Sequence, residues 1–214
     1  MKNESLADKV FEQLEADILG GKYAAGEIVT EIGLSNEFQV SRTPIREAIR
    51  RLEQENLVSE SGKGIKILGI SYKDLSDIYE IRMRIEGLAA RFAAEYITDE
   101  ELEKLSEVLD LQEFYTSKQK MNNVKDADSN FHDIIYHCCG STTLTDILGS
   151  LHRKIQMQRK ASLENMSRAV DAVKEHRKIY EALKRRDADL AEELTVQHIK
   201  NAKENLKKIL SIQN

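Results

Sequence analysis

Three histidines and one aspartate in the C-terminal half of the sequence are spaced as metal ligands. Asp128 and His132 are four residues apart, so on a helix both side chains point in the same direction. His176 lies eleven residues before Asp187 and His198 lies eleven residues after it, so two antiparallel helices that meet at Asp187 hold these histidines level. We therefore predict that the four side chains converge inside a helical bundle and bind a divalent transition metal, with about one to three coordination positions left open.

A metal-dependent hydrolase is the alternative that this pattern leaves open. Such an enzyme needs a general base beside the metal-bound water. Glu175 adjoins His176 but points about 100° away from it on an ideal helix, and no carboxylate is unambiguously placed for the role. The sequence therefore favours binding over catalysis, and we assign no catalytic residue. His137 and His152 lack such partners and are interpreted as ordinary helix residues.

A second set of residues, the arginines of one short segment, is typical of a DNA-reading helix. The segment Phe38–Leu52 carries Arg42, Arg46, Arg50 and Arg51, although residues 1–70 hold only 9 Lys and Arg against 12 Asp and Glu. A local basic patch on a chain of net charge −5 suits contact with phosphate over a small footprint. Arg42 and Arg46 share one helix face, and each can donate two hydrogen bonds to a guanine. A solvated arginine face is the alternative.

The elements around these arginines favour a helix-turn-helix. Thr30 can cap a short helix over Glu31–Glu37, and Ser41 can cap a longer one that runs to about Asn56. The only proline, Pro44, falls in the first turn of the longer helix, where its missing N–H costs little. Ser41 and Thr43 could then reach phosphate while the arginines face bases.

A hairpin is predicted directly after this helix. The alternating runs Leu57–Glu60 and Ile65–Leu68 enclose the turn residues Ser61–Gly64. This hairpin would be the wing, and its glycines would let the backbone approach a minor groove. The predicted DNA contacts are therefore Ser41, Arg42, Thr43, Arg46 and Arg50 in the helix, with Gly62 and Gly64 in the wing.

Length and composition restrict the class of protein. With 214 residues, 41% hydrophobic and 32% charged, the chain can form one large or two modest domains, which excludes disordered and fibrous classes. One Pro, 10 Gly and no Trp indicate a mostly helical protein. The polar start and the absence of an apolar run of about 18 residues predict a cytoplasmic protein without a membrane segment. Adjacent Cys138 and Cys139 rarely meet disulfide geometry, which excludes a disulfide-stapled secreted fold.

The predicted fold class is mainly α, with an N-terminal winged helix-turn-helix followed by an antiparallel bundle of about six helices. Apolar residues recur with helical spacing over Leu6–Leu19 and again from Ser71 almost to the end of the chain, where the last helix is expected over Ala188–Ile212. We place the domain boundary near Gly69–Ser71. This gives domains 1–70 for DNA binding and 71–214 for the metal site, the ligand and dimerisation.

The N-terminal motif resembles the signature of the GntR family of bacterial transcriptional regulators. The residues that carry the resemblance are Val40–Ile49, Leu52 and Glu55–Val58, preceded by Ile18, Gly21, Gly26, Glu27 and Glu31. The resemblance implies that Arg42, Arg46 and the wing glycine contact an operator. Two positions depart from the family pattern: Ala25 replaces the usual proline, and Ile32 stands where some members carry a DNA-contacting arginine, which implies one fewer contact per half-site.

The C-terminal half resembles the ligand-sensing FCD-type domain of the FadR subfamily. The matching residues are Ile81–Ala90, Asp128–His132, Glu175–Ala182, Ala191 and His198–Ile199. The resemblance implies that Asp128, His132, His176 and His198 bind a divalent metal, with zinc first and nickel or manganese as alternatives, and that a small organic acid binds on or near it. A sensing domain with six predicted helices, rather than seven, resembles the shorter VanR-type branch of the subfamily.

The predicted function is that of a homodimeric transcriptional regulator, most simply a repressor, and not of an enzyme. A small carboxylate at the metal would control its binding to a palindromic DNA operator. Arg82 is the candidate clamp for this carboxylate, because a guanidinium pairs with a carboxylate through two parallel hydrogen bonds. The alternative for Arg82 is an exposed arginine on an amphipathic helix. A structural bundle whose winged helix binds protein is a further alternative for the whole chain.

Overall fold

The computed structural model describes residues 5–163 and 166–212, without the side chains of residues 156–163 and 209–212. The described part contains nine helices and a small sheet of three strands. Backbone contacts divide the chain into two compact units, with the division between Tyr72 and Lys73. The fold class predicted from the sequence, a winged helix-turn-helix followed by a helical bundle, is confirmed.

The N-terminal unit consists of three helices and three short strands. In chain order they are α1 (Leu6–Leu19), β1 (Ile28–Val29), α2 (Glu31–Phe38), α3 (Arg42–Gln54), β2 (Val58–Ser61) and β3 (Gly64–Ile67). Thr30 caps α2 as expected, because its hydroxyl accepts a hydrogen bond from the Gly33 N–H at 3.0 Å. Ser41 occupies the N-cap position of α3 with extended backbone, but its side chain makes no capping hydrogen bond within the described residues.

The sheet of this unit is antiparallel, with β3 between β1 and β2. The predicted hairpin is β2–β3, in which Ser61 pairs with Gly64 across two loop residues. Strand β1 was not predicted, because two residues are too few to display an alternating pattern. The buried side chains of the unit include Leu14, Leu34, Ile45 and Leu52, which anchor the three helices in one core. This core presents the N-terminal end of α3 on the surface.

The C-terminal unit consists of six long helices. They are α4 (Tyr72–Tyr96), α5 (Asp99–Ser117), α6 (Met121–Cys138), α7 (Thr142–Leu163), α8 (Met166–Lys184) and α9 (Ala188–Ile212). Thr98 and Glu101 form the capping box expected at the start of α5. The predicted end of α7 at Glu164 lies outside the described residues. Among the described helices, none combines the length and the apolar content needed to cross a membrane.

Small residues on α4 allow the bundle to close around its centre. Ala89, Ala90, Ala93 and Ala94 are all fully buried. A Cβ added at Gly87 would lie 2.8 Å from Cγ2 of Val196, so only glycine permits this approach of α4 to α9. Helices α4, α6, α8 and α9 therefore face a shared interior, where buried polar side chains are concentrated.

Candidate metal centre and DNA-reading helix

Three buried imidazoles meet in the interior of the C-terminal unit. His132 on α6, His176 on α8 and His198 on α9 each offer a ring nitrogen, and these nitrogens all lie within 4.8 Å of one another. The Nε2 atoms of His176 and His198 are 3.4 Å apart. The two helices turn at residues 185–187, with Arg186 in the left-handed conformation, and this symmetric hairpin holds the two histidines level.

Asp128 lies beside one of these imidazoles, that of His176, and is positioned by Gln112 of α5. Its Oδ1 atom is 3.7 Å from Nε2 of His176 and accepts a hydrogen bond from Nε2 of Gln112 at 3.4 Å. The other amide atom, Oε1 of Gln112, lies 2.9 Å from Nδ1 of His176. An amide oxygen can only accept, so Nδ1 of His176 carries the proton and Nε2 is left to face the centre.

Glu175 fixes the second imidazole in the same way. Its Oε2 atom accepts a hydrogen bond from Nδ1 of His198 at 2.6 Å, while Arg168 and Asn201 donate to the carboxylate at 2.9 and 2.8 Å. Burial alone would raise the pKa of Glu175, but the hydrogen bonds from His198 and Arg168 outweigh it and hold the pKa below its usual range. Burial lowers the pKa of His198, so the ring is neutral and its Nε2 carries a lone pair.

The third imidazole lies next to a buried ion pair on α4. Nδ1 of His132 is 3.5 Å from Oε2 of Glu86, and the other carboxylate oxygen of Glu86 accepts a hydrogen bond from Nε of Arg82. Arg82 is completely buried, which overturns the exposed-arginine alternative. Its two terminal nitrogens have no hydrogen-bond partner within the described residues. A buried guanidinium with one free edge remains available to an anion that enters the bundle.

This donor set fits a transition metal. Nδ1 carries a proton on both His176 and His198, since Gln112 and Glu175 accept from these atoms, so the two Nε2 atoms face the centre and lie 3.4 Å apart. Imidazole nitrogens with one carboxylate are the ligands that zinc and its neighbours prefer, and Asp128 supplies the carboxylate. Three of the four residues predicted as ligands, His132, His176 and His198, therefore cluster at this centre, and the fourth, Asp128, lies next to His176.

A polar cavity of about 510 Å³ between α8 and α9 reaches this centre from outside. His198 and Glu175 line its inner side. The rest of the lining is mixed in charge, because the basic residues Arg168, Lys174, Lys178 and Lys208 alternate with the carboxylates of Asp171 and Glu204.

Sequence reasoning missed several residues of the centre. Gln112 and Glu86 act through contacts between distant helices, and nothing in their sequence neighbourhood indicates these contacts. His152, interpreted above as ordinary, is buried, and its ring centroid lies 5.9 Å from that of His132. The sequence signal that could have identified His152 was its position on the buried face of α7. Glu175 was examined only as a partner of His176, whereas it contacts the histidine of the next helix.

The predicted DNA-contacting residues of α3 lie together on its exposed face. This face carries Ser41, Arg42, Thr43, Arg46 and Arg50, while Pro44, Ile45, Ala48 and Ile49 are buried on the opposite face. The side chains of Arg42 and Arg46 are 52% and 56% exposed, although both are hydrogen-bonded to Glu31 of α2. Hydrogen bonds from Arg46 and Arg42 lower the pKa of the Glu31 carboxyl. The three charged groups thus form one cluster at the start of α3.

The two wing glycines have different surroundings. A Cβ added at Gly62 would meet no atom within 4 Å, so the backbone there is open to an approaching molecule. Gly64 has φ +139°, and a Cβ there would lie 2.6 Å from the carbonyl oxygen of Val29. Glycine at position 64 is therefore required by the pairing of β1 with β3 itself. A cleft of about 400 Å³ separates the wing from α3 and is lined by Arg42, Glu31 and Glu60.

Family models match most of the chain. Residues 6–67 match the model of bacterial regulatory proteins of the gntR family, and residues 77–201 match the FCD domain model. The chain is 30% identical to the uncharacterized HTH-type transcriptional regulator YdhC of Bacillus subtilis (strain 168), over 94% of this chain and 90% of that relative. It is 27% identical to the HTH-type transcriptional repressor RspR of Escherichia coli (strain K12), over 94% of this chain and 89% of that relative.

Solved structures match the same fold. McbR/YncC of E. coli superimposes with a TM-score of 0.77 at 21% identity, over 96% of this chain and 99% of that chain. A putative transcriptional regulator GntR from Rhodococcus sp. RHA1 superimposes with a TM-score of 0.71 at 20% identity, over 94% of this chain and 97% of that chain. At these identities the likeness concerns the fold alone.

Proposed function

The chain belongs to the gntR family of bacterial regulatory proteins and carries an FCD domain, and from this premise we propose that a small organic acid, bound at a metal in the FCD domain, controls its binding to an operator. The family consists of DNA-binding transcriptional regulators and not of enzymes. The hydrolase alternative loses its last candidate base, because Glu175 is engaged by His198, Arg168 and Asn201. We take the protein to be a repressor.

Residues 1–70 bind the DNA in this proposal. Arg42 and Arg46 contact base edges in the major groove, Ser41, Thr43 and Arg50 contact phosphate, and the wing approaches the adjacent groove through Gly62 and Gly64. The support for these roles is the exposure of the whole set on one end of α3. The footprint of one such head is small, so we propose that a homodimer places two heads on a palindromic operator.

Residues 71–214 hold the metal, the acid and the dimer contacts in this proposal. Asp128, His132, His176 and His198 bind a divalent metal, which we take to be zinc, with nickel and manganese as the other candidates. One carboxylate ligand leaves the ion with a net charge of about +1, which attracts an anion into the bundle. We also propose that the chain belongs to the FadR subfamily, in its shorter VanR-type branch, a proposal supported by the six helices of this unit. We propose that it acts in the cytoplasm.

The observation that carries the proposal of an acid ligand is the free edge of Arg82. Its Nε bonds to Glu86, and its two terminal nitrogens have no partner within the described residues although the side chain is completely buried. An unsatisfied buried donor costs about 1–3 kcal/mol. A carboxylate can accept from both terminal nitrogens at once, and so it removes this cost on binding.

The test measures DNA binding and its response to acids in the zinc-loaded full-length protein. A duplex selected by the protein from a random library serves as the operator, and a panel of small mono- and dicarboxylic acids serves as ligands. We expect one or more acids to change duplex affinity in fluorescence anisotropy. Arg82→Lys should bind the duplex like the wild type and lose the response, because lysine lacks the paired donors.

Arg84→Lys is the matched control, because Arg84 lies two residues away on α4 with an exposed side chain. This variant should respond like the wild type. The acid-control proposal is wrong if no acid alters duplex binding, or if Arg82→Lys and Arg84→Lys respond equally. The assignment of α3 is tested separately: Arg42→Ala and Arg46→Ala should each weaken binding to the selected duplex by at least about tenfold, and unchanged binding would contradict it.

A further inference from the structure

Both DNA-facing arginines are held by one carboxylate, that of Glu31 at the first position of α2. Its Oε2 atom accepts from Nε and Nη2 of Arg42 at 3.1 and 2.6 Å, and also from Nε of Arg46 at 3.0 Å. Its Oε1 atom lies 3.0 Å from the same Nε of Arg46. Glu31 is eleven residues before Arg42, so this contact joins the two helices of the helix-turn-helix.

The atoms used in these contacts determine what the arginines can still do. Arg42 gives Glu31 its side edge, formed by Nε and Nη2, and Arg46 gives only Nε. Both Nη1 atoms and Nη2 of Arg46 make no contact with Glu31 and belong to side chains that are more than half exposed. The outer ends of the two guanidinium groups are thus available for a guanine or a phosphate, while their stems are fixed.

Fixing the stems before binding has a thermodynamic consequence. A free arginine side chain loses about 2 kcal/mol of rotamer entropy when one geometry is imposed on it. Glu31 imposes that restriction in the free protein, so less entropy is lost on the DNA. The carboxylate also offsets one of the two positive charges, which weakens attraction to any phosphate regardless of sequence.

We infer that Glu31 is a positioning residue for DNA reading, which orients Arg42 and Arg46 towards base edges and thereby raises discrimination between the operator and other DNA. The inference rests on the proposed roles of these two arginines. A different reading makes Glu31 a simple counter-charge, whose loss strengthens binding to all duplexes by the same factor. The two readings differ in the ratio of specific to non-specific affinity.

The experiment compares Glu31→Gln, Glu31→Asp and Glu60→Gln in the full-length protein. Glu60→Gln is the charge-matched control, because Glu60 lines the same cleft and makes no contact with Arg42 or Arg46 in the described structure. Anisotropy titrations use the selected duplex and a scrambled duplex of the same composition, over about 50–200 mM salt. Thermal melting by circular dichroism checks that each variant is folded.

For Glu31→Gln we expect the affinity for scrambled DNA to rise, the salt slope to steepen by about one, and the ratio of specific to non-specific affinity to fall about tenfold. Glu60→Gln should change both affinities by a common factor and keep the ratio. Glu31→Asp keeps the charge but withdraws the carboxylate by one methylene, so it should lower the ratio while leaving the salt slope as in the wild type. This variant separates geometry from charge.

A parallel rise of both affinities in Glu31→Gln, or a wild-type ratio in Glu31→Asp, would overturn the inference and leave Glu31 as a counter-charge only. Failure of the underlying proposal, that Arg42 and Arg46 read the operator, would give a different result. If Arg42→Ala and Arg46→Ala keep the wild-type ratio, α3 does not read the operator, whatever the Glu31 variants do.

Discussion

Two imidazoles of the candidate metal centre are each oriented by a hydrogen bond to a separate residue behind the ring, and a carboxylate lies near the third. Gln112 contacts His176, Glu175 contacts His198, and Glu86 lies near His132. Acceptors at Nδ1 set the tautomer and raise the basicity of the other nitrogen, so they influence metal affinity without touching the metal. The carboxylate of Glu175 is the strongest acceptor bonded to an imidazole, because it is ionised and lies 2.6 Å from Nδ1 of His198, while Arg168 and Asn201 hold it in position.

Replacement of Glu175 by glutamine should weaken metal binding. The amide keeps the size of the side chain but loses the charge that stabilises the Nδ1 proton of His198, so zinc affinity is expected to fall about 10–100-fold. Competition with a chromophoric chelator measures this change. Glu181→Gln is the control, because Glu181 is exposed on the same helix. Equal zinc affinity in the two variants would show that Glu175 does not act on His198.

Cys138 should make the fold sensitive to alkaline pH. Burial, reinforced by Glu101, raises the pKa of its thiol from 9.0 to about 12. The unfolded thiol therefore ionises first, and the free energy of unfolding falls as the pH rises from about 9 towards 12. In Cys138→Ala this decrease should be smaller. Urea unfolding at pH 8 and pH 10 tests the difference, and identical pH dependence in both proteins would contradict it.

At the scale of elements, the wing depends on a two-residue strand. Strand β1 pairs Val29 with Ile65 and Ile28 with Lys66, and the approach is close enough that Gly64 cannot carry a side chain. The sequence suggested that both wing glycines serve DNA contact. The structure adds a reason within the fold for Gly64, whereas the surroundings of Gly62 are open.

Alanine at these two positions should therefore have different effects. Gly64→Ala forces a side chain at φ +139° and against a backbone oxygen, so unfolding of the N-terminal unit should become easier by about 1–3 kcal/mol. Gly62→Ala should change stability by less than about 0.5 kcal/mol. Urea unfolding followed by circular dichroism gives both values. If both variants are equally stable, the approach of β1 to β3 does not require glycine.

At the scale of the whole molecule, the DNA-reading helix and the candidate metal centre belong to separate compact units. The core of the N-terminal unit is built around Leu14, Ile45 and Leu52, and the core of the C-terminal unit around Phe131 and Ile179. A metal bound at the candidate centre would therefore stabilise one unit directly.

Zinc should accordingly protect one unit in hydrogen exchange. At free zinc about 100-fold above its dissociation constant, the stabilisation is about 2.7 kcal/mol, which slows exchange through global opening of the C-terminal unit about 100-fold. Peptides from α6, α8 and α9 should show this protection, and peptides from α1 to α3 should exchange at the same rate with and without zinc. His198→Gln is the control that removes a ligand. Protection that persists in this variant would contradict the proposed centre.

The helices and their ends were largely determined by the sequence alone. The expected bounds Leu6–Leu19 and Ala188–Ile212 agree with α1 and α9, and the capping box at Thr98 is formed. Periodicity, caps and glycine stops act between residues a few positions apart, so a single sequence displays them directly. Local rules also predicted that His176 and His198 lie opposite each other, because only two regular helices and one turn separate these positions.

The tertiary structure decided which side chains complete each site. Gln112 and His176 are separated by 64 positions, and Glu31 and Arg46 by 15, so their contacts depend on how the helices pack. Pairing of the very short β1 with β3 and the complete burial of Arg82 arise in the same way. Periodicity marks which face of a helix is buried, but the neighbour that this face meets is selected only when all the helices pack together, because close packing is a property of the whole interior.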